Sequence, residues 1–324
     1  MIALDVMGGD HAPLAILDGS LRAAKRSIPV MLFGPAAFVR DELNKLDPAW
    51  ETYPITISDA PSIVAMDDEP VSAVRKKPDS SLVQAVASVK AGQCRVALSA
   101  GNSGALMAAA TFLLGRQEGI ERPAIAGLMP SLHGNILVLD LGANTDCKPQ
   151  YLVQFARLGR DYAHKTLKIV TPRVGLLSNG HEAGKGSQLV KDAFELLSQE
   201  NSINFIGNVE PYDILENRAD VIVCDGFSGN VFLKTMEATF ELCMKLVQQD
   251  IYDQNNKHSE NHENLAVQAW GKSFFTKIAA KLHHKRFGGA FLLGVKGDII
   301  VCHGSSDAKT IEQALVFAWE NDRL

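Results

Sequence analysis

Short aliphatic and β-branched runs alternate with longer stretches of helical period along almost the whole chain, and that alternation leaves few folds open. Strand-like runs fall at residues 2–6, 29–33, 55–59, 95–99, 135–141, 174–178, 203–206, 220–224 and 298–302. Helix-period segments follow most of them, among them 14–26, 80–91, 104–114, 149–163, 187–198, 230–250 and 307–319. Consecutive strands can pair in parallel only if the chain crosses back over a face of the sheet. The pattern therefore predicts βαβ units: an α/β fold with a mostly parallel sheet covered by helices. No linker cuts the chain, so residues 1–324 are expected to form a single domain. One region breaks the rhythm. Between Asn230 and Arg286 there is a long helix, the polar patch "DQNNKHSENHEN" (253–264) and a second helix from Leu265, with no strand-like run. This predicts a helical hairpin at about 231–286 that projects from the α/β body.

Composition narrows the function classes. The formal net charge of −5 argues against a general nucleic-acid binder, which is normally basic. The five cysteines show neither a CxxC pair nor a Cys/His ligand spacing, so reduced thiols in a cytoplasmic protein are expected, with no metal. Met1 leads directly into a strand, which leaves no room for a signal peptide. The longest apolar stretch, 105–114, is about half of the ~20 residues needed to span a bilayer. Attachment to a membrane surface stays open.

In open α/β sheets, ligands sit beyond the carboxyl ends of the strands. Six glycine-rich turns fall at such places: "DVMGGDHAP" (5–13), "LSAGNSGAL" (98–106), "LDLGANTDCKP" (139–149), "SNGHEAGKGS" (178–187), "CDGFSGNV" (224–231) and "CHGSSD" (302–307). A glycine turn at a helix start offers unpaired N–H donors and the positive end of the helix dipole, which suits phosphate. Any one such turn is more often plain punctuation. Several at one sheet edge, each carrying Asn, Asp, His or Lys, point to an anion site. Two nucleotide signatures fail. No GxGxxG follows the first strand, and in "GHEAGKGS" Gly186 follows Lys185 where a P-loop needs Ser or Thr. Neither ATP nor NAD is expected, and no cofactor at all.

Taken together, "IALDVMGGDHAP", "SAGNSGAL", "GANTDCKPQYLVQFARLG", "GKGSQLVKDAF", "FIGNVEPYDI", "ADVIVCDGFSGNVFLK" and "GGAFLLGVKGDIIVCHGSSDA" resemble the phosphate acyltransferases of bacterial phospholipid synthesis, the PlsX family. The resemblance runs from Met1 to about residue 320. It implies transfer of a fatty acyl group from acyl-[acyl carrier protein] to inorganic phosphate, giving acyl phosphate for glycerol-3-phosphate acylation. It also implies a three-layer α/β/α sandwich like the isocitrate and isopropylmalate dehydrogenases, a homodimer, and peripheral attachment of a cytoplasmic protein to the membrane near the glycerol-3-phosphate acyltransferase. Two other readings stay open. One is a phosphotransacetylase-like enzyme using acyl-CoA; the other is a non-catalytic protein that binds phosphorylated lipid intermediates at a membrane surface.

Phosphate is the nucleophile of such a reaction, so the protein must hold a dianion and stabilise a tetrahedral oxyanion. Lys185, in a flexible Gly-Lys-Gly step, is the candidate for charge stabilisation; a solvated loop lysine is the plain alternative. Asn230 either donates to the carbonyl oxygen or caps the helix that starts there. Gly101, Asn102, Ser103 and Gly104 are the first candidates to cradle phosphate, with Gly8, Gly9 and His11 as a second set; Asp10 and His11 are also candidates to tune the protonation of phosphate, a plain turn residue being the alternative for Asp10. Asp225 is a candidate to position Lys185, beside Gly226, Ser228 and Gly229 of the same turn. Asp146 and Lys148 are a candidate ion pair orienting the site. His303 and Ser305 are candidates for phosphate or thioester, whereas Ser306 either joins them or caps the last helix. Cys224 is the one thiol placed for an acyl-enzyme, but direct attack by phosphate is favoured because buried thiols are usually inert.

At ~100° per residue, Trp270, Phe274, Phe275, Ile278 and Leu282 share one stripe of the second hairpin helix; Lys277 and Lys281 edge it, and Lys272 lies away from it. Such a helix suits an anionic membrane surface, with dimer packing as the alternative and the acidic carrier protein as a compatible partner for its lysines.

Overall fold

The computed structural model describes residues 1–257 and 288–321. Its strands, in chain order, are β1 (Ile2–Asp5), β2 (Val30–Gly34), β3 (Ile55–Asp59), β4 (Val96–Ser99), β5 (Ala124–Ser131), β6 (Gly134–Leu139), β7 (Arg173–Leu177), β8 (Asn204–Val209), β9 (Val221–Val223), β10 (Ala290–Leu293) and β11 (Asp298–Val301). The main helices are α1 (Leu14–Lys25), α2 (Ala36–Leu46), α3 (Pro70–Lys76), α4 (Ser81–Lys90), α5 (Ser103–Leu113), α6 (Pro149–Lys165), α7 (Gln188–Ser198), α8 (Gly226–Lys257) and α9 (Ala308–Glu320).

All eleven strands join one sheet in the order β3-β2-β1-β4-β11-β10-β5-β6-β9-β7-β8. Strands β3, β2, β1, β4 and β11 are mutually parallel, and so are β6, β9, β7 and β8. Between these blocks lie β10, antiparallel to both neighbours, and β5, antiparallel to β6. The two blocks therefore run in opposite directions. They are also staggered. Phe291 pairs with Ile300 of β11 and with Ala126 of β5, and Ala126 pairs with Leu139, the last residue of β6. One line across the sheet thus meets both blocks close to their carboxyl ends, and the cleft lies along it.

Alternation along the strands feeds two faces. Ile2 and Leu4 pack into a core with α1, α2, α6, α7 and α9, whereas Ala3 joins a second core with α3, α4 and α5. A third core lies beside β6 and β9, where Phe232, Leu233 and Met236 of α8 reach it. This is the expected three-layer arrangement.

The nine strands read from the sequence are present. Strands β5 and β10 were not expected, and the picture of glycine turns gathered at one sheet edge needs correcting. Turns after β1, β4 and β11 leave the sheet one way; those after β6, β9 and β7 leave it the other. Of the projected hairpin, α8 is seen, and as Gly226–Lys257 it overruns both ends of the helix expected over 230–250. Farther out it exposes Leu242 and Leu246. The stripe of Trp270, Lys272, Phe274, Phe275, Lys277, Ile278, Lys281 and Leu282 lies outside the described residues. Among the described residues, no helix is long and apolar enough to cross a membrane.

Candidate functional site

The turns after β1, β4 and β11 are pressed together by hydrogen bonds. Asp5 is fully buried at the end of β1, where its Oδ2 accepts from Ser99 Oγ at 2.6 Å. Burial pushes its carboxyl above the ordinary range, and the hydroxyl and backbone donors work against that. The Gly101 N–H donates to Ser99 Oγ at 3.0 Å, and the Asp10 N–H to the Gly304 carbonyl at 2.8 Å. A methyl on Gly8 would stand 2.5 Å from Asp5 Oδ2 and 2.7 Å from Gly101 N, so only glycine lets these two turns touch.

The turns after β6 and β9 make a second knot around Asp140. Its Oδ1 accepts from the N–H groups of Ile125, Gly142 and Ala143 at 3.0, 3.2 and 3.0 Å. Its Oδ2 accepts from Asn144 N at 2.7 Å and Asn144 Nδ2 at 2.9 Å. Burial raises this carboxyl while the N–H donors pull it back. A side chain on Gly229 would collide with the Asp140 carbonyl oxygen, which seats the first turn of α8 on this knot.

Between the knots lies a cavity of about 410 Å³. Ile125, Leu128, Met129, Leu141 and Leu233 give it an apolar wall, and Asp10, Asn230, Lys234, His303, Ser306 and Thr310 a polar one. Helix α8 spans both, because Asn230, Lys234 and Glu237 recur at helical spacing on one side of it. The Lys234 ammonium lies 3.0 Å from Glu237 Oε2 and 2.9 Å from His303 Nε2. An ammonium has only donors, so it fixes Nε2 as the acceptor. The imidazole hydrogen then sits on Nδ1 and points to Ser305 Oγ at 2.8 Å. The Ser305 N–H, 3.2 Å from Nδ1, competes for that nitrogen, and the charge on Lys234 decides between the two. Ser306 is 1% exposed, and its Oγ is buried without a hydrogen-bond partner.

Of the residues singled out in the sequence, the cavity brings together Asp10, Gly101, Ser103, Asn230, His303 and Ser306. Asn102 has another task. Its Oδ1 caps α5 through Ala105 N at 3.0 Å, and its Nδ2 donates to the carbonyls of Met66 and Asp68 at 3.1 and 3.0 Å. Gly104 makes room for Pro70, whose Cγ would lie 2.7 Å from a methyl there. Gly9, at φ +112°, turns the chain against Ala100 and Gly304, while His11 is exposed outside the cavity lining.

Asp225 holds its own turn rather than Lys185: its carboxylate accepts from Ser228 N at 2.9 Å and Ser228 Oγ at 2.7 Å. Gly226 donates to the Asn144 carbonyl at 2.7 Å. Asn230 lies in the second turn of α8, so it is not the cap. Asp146 and Lys148 are exposed and, among the described residues, make no ion pair with each other; Lys148 stands just before α6 and Pro149, without a side-chain capping bond. Lys185 is exposed on the turn after β7 and is not part of the cavity lining. That turn is fastened by His181 Nε2, 2.7 Å from Asp213 Oδ2, and by Asn208 Nδ2 donating to the Glu182 carbonyl at 2.8 Å. Ser306 is not the cap of the last helix. Asp307 is, accepting from Thr310 N at 2.8 Å.

Sequence reasoning missed Lys234 and Glu237. Their signal was present: both follow Asn230 at i+4 and i+7 on a segment already read as helical.

The pattern of a family described as "Fatty acid synthesis protein" matches residues 1–321. The phosphate acyltransferase of Anaeromyxobacter sp. (strain Fw109-5) is 42% identical, over 97% of this chain and 85% of its own length. That of Citrifermentans bemidjiense is 44% identical, over 98% and 88%. Among solved structures, the EutD phosphotransacetylase from Staphylococcus aureus superposes with a TM-score of 0.60 at 15% identity, covering 99% of this chain and 93% of its own. The 4-hydroxythreonine-4-phosphate dehydrogenase from Klebsiella pneumoniae does so at 0.55 and 12%, covering 100% and 99%. At such identities these two speak for the fold alone. The family match and the two close relatives decide the rest: this chain belongs to the fatty acid synthesis protein family, alongside the proteins named phosphate acyltransferase.

Proposed function

We propose that this chain transfers a fatty acyl group from an acyl-[acyl carrier protein] thioester to inorganic phosphate, supplying acyl phosphate for phospholipid synthesis. The observation that carries this is the mixed lining of the cavity. Apolar side chains suited to the start of a hydrocarbon chain share one space with the polar donors Asn230, Lys234 and Ser306, suited to a small oxyanion, in a chain whose relatives are named phosphate acyltransferase.

The chemistry balances without a cofactor. An oxygen of hydrogen phosphate attacks the thioester carbon, the C–O bond forms and the C–S bond breaks. The proton of the hydrogen phosphate ends on the departing sulfur as carrier-protein thiol. Holding both reactants in one cleft removes most of the entropic barrier, and fixed donors stabilise the oxyanion. No acyl-enzyme is needed. The Cys224 thiol is buried, and burial together with the nearby carboxylates of Asp140 and Asp225 drives its pKa well above the ordinary value, so it is no nucleophile at neutral pH. Asn230, on the cavity side of α8, is the candidate donor to the carbonyl oxygen. Lys185, exposed outside the cavity, is assigned to the bulky acyl donor rather than to the small anion. Homodimerisation, a cytoplasmic location and peripheral attachment to the membrane near the next acyltransferase belong to the same reading.

The test incubates purified protein with acyl-[acyl carrier protein] and phosphate and traps acyl phosphate with hydroxylamine, with acyl-CoA in parallel. Acyl hydroxamate that depends on phosphate and on the carrier-protein donor is the expected result. Product from acyl-CoA alone would move the chain to the phosphotransacetylase class, and no product from either would leave a binding protein.

A further inference from the structure

Among the described residues that line the cavity, the one lysine or arginine is Lys234. We propose that Lys234, positioned by Glu237 and His303, is the phosphate-holding cation of the cleft, and that the Ser306 hydroxyl completes the anion site with it. The proposal rests on the acyl-transfer reading for the identity of the anion; the site itself stands on geometry.

Three observations converge. First, the ammonium has three N–H bonds. Two are taken by Glu237 at 3.0 Å and His303 at 2.9 Å, which point the group and leave the third for a ligand. A lysine tied at two points loses little further freedom on binding, so its contact with an anion costs less entropy than that of a loose surface lysine. Second, Ser306 sits across the cleft on the turn after β11. A buried hydroxyl without a partner is costly unless something arrives to accept its hydrogen. The helix cap that would otherwise occupy it is supplied by Asp307. Third, Asn230 stands one helical turn before Lys234 and lines the same cavity, so an amide donor and an ammonium face one space from a single rigid element.

The site also explains the acidic neighbour. Glu237 would repel a phosphate dianion if it were unneutralised, but here it is bonded to the ammonium and fixes its direction. His303 does the same from the opposite side of the cleft. Both act through Lys234 and are positioning residues.

The measurement is binding of inorganic phosphate, by isothermal titration at constant ionic strength, to the full chain and to Lys234→Met, Lys234→Arg, Ser306→Ala and Lys309→Met. Lys309 is an exposed lysine on α9 and controls for general electrostatics. Lys234→Met is expected to weaken phosphate binding at least about tenfold, the loss of one charge-assisted hydrogen bond. Ser306→Ala should weaken it in the same direction, Lys234→Arg should recover part of the affinity, and Lys309→Met should match the unmodified chain. Thermal unfolding of each variant confirms the fold, and Lys234→Arg keeps the comparison open if the methionine variant is unstable. Unchanged phosphate affinity in both Lys234→Met and Ser306→Ala, or an equal loss in Lys309→Met, would overturn the site. Acyl phosphate formation with unaltered phosphate affinity in these variants sinks the site and spares the acyl-transfer reading. Phosphate binding that follows the expected pattern, in a protein that forms no acyl phosphate, does the reverse.

Discussion

Lys234 Nζ lies 2.9 Å from His303 Nε2, although 69 residues separate them in the chain. The lysine belongs to the helix that leaves one parallel block of the sheet, and the histidine to the turn that leaves the other. This contact spans the cleft and sets the direction of the cavity's ammonium. A His303→Leu variant should raise the KM for phosphate, but less than Lys234→Met does, because the cation stays and only its aim is loosened. Steady-state kinetics at fixed acyl donor measure both. An increase for His303→Leu as large as for Lys234→Met would mean that the imidazole itself meets the anion.

Lys185 is expected to divide from Lys234 in the kinetics. Lys185→Ala should lower kcat/KM for the acyl donor and leave the phosphate KM within about twofold, the size of a surface charge effect of a few tenths of a kcal/mol. A raised phosphate KM with an unchanged acyl-donor term would return Lys185 to the anion site.

Cys224→Ala should keep most of its activity, since the thiol is held protonated by burial. Iodoacetamide should leave the buried Cys94, Cys224 and Cys302 unmodified in the folded protein while labelling the exposed Cys243. Mass spectrometry of the labelled peptides reads this directly. Loss of turnover in the alanine variant with an intact fold would reopen the acyl-enzyme route.

Asp140→Asn places an amide nitrogen among five N–H donors that need an acceptor. At least one buried donor pair then clashes, and the loss should be about 2–3 kcal/mol of stability. Urea denaturation measures it. Because Gly142 of this knot packs beside Asn230, activity should fall further than stability alone explains.

Acid stability should depend on Glu200. Hydrogen bonds from Arg157, then Ser202, pull its carboxyl from an ordinary 4.5 down to about 2 in the folded chain. A carboxyl that holds its proton less tightly when folded adds stability above pH 4.5, and that contribution fades as the pH falls toward 2. The pair is partly solvent-exposed, so the effect is modest. Arg157→Met should flatten the drop in thermal midpoint across this window, and an unchanged slope would assign the acid sensitivity elsewhere.

Much of this was legible in the residues. Apolar runs and helical period gave nine strands and the helices that cover the sheet, because burial on a sheet imposes those periods directly; the three layers came from the family resemblance. Strand β5 escaped notice because Gly127 and Pro130 interrupt its run. Strand β10 is closed in by Gly289 and Gly294 and leads into β11 with no helical segment after it, so the alternation that marked the other strands is missing there. Strand direction has no signature in an apolar run, so the reversal between the blocks stayed hidden, and with it the separation of Lys185 from the cavity. Lys234 stood in the segment read as a helix from residue 230, but helical period alone does not say which of its polar residues face a cavity. The orphaned Ser306 hydroxyl could not be read at all, because absence of a partner is a property of three dimensions.

The two blocks are coupled through the hydrogen-bonded ladder of β10 and β5. Lobes joined by a flexible tether can swing apart freely; lobes that share a continuous ladder move only by flexing or shearing it, which resists in proportion to the displacement. Any widening of this cleft would therefore work against a spring rather than lift a latch.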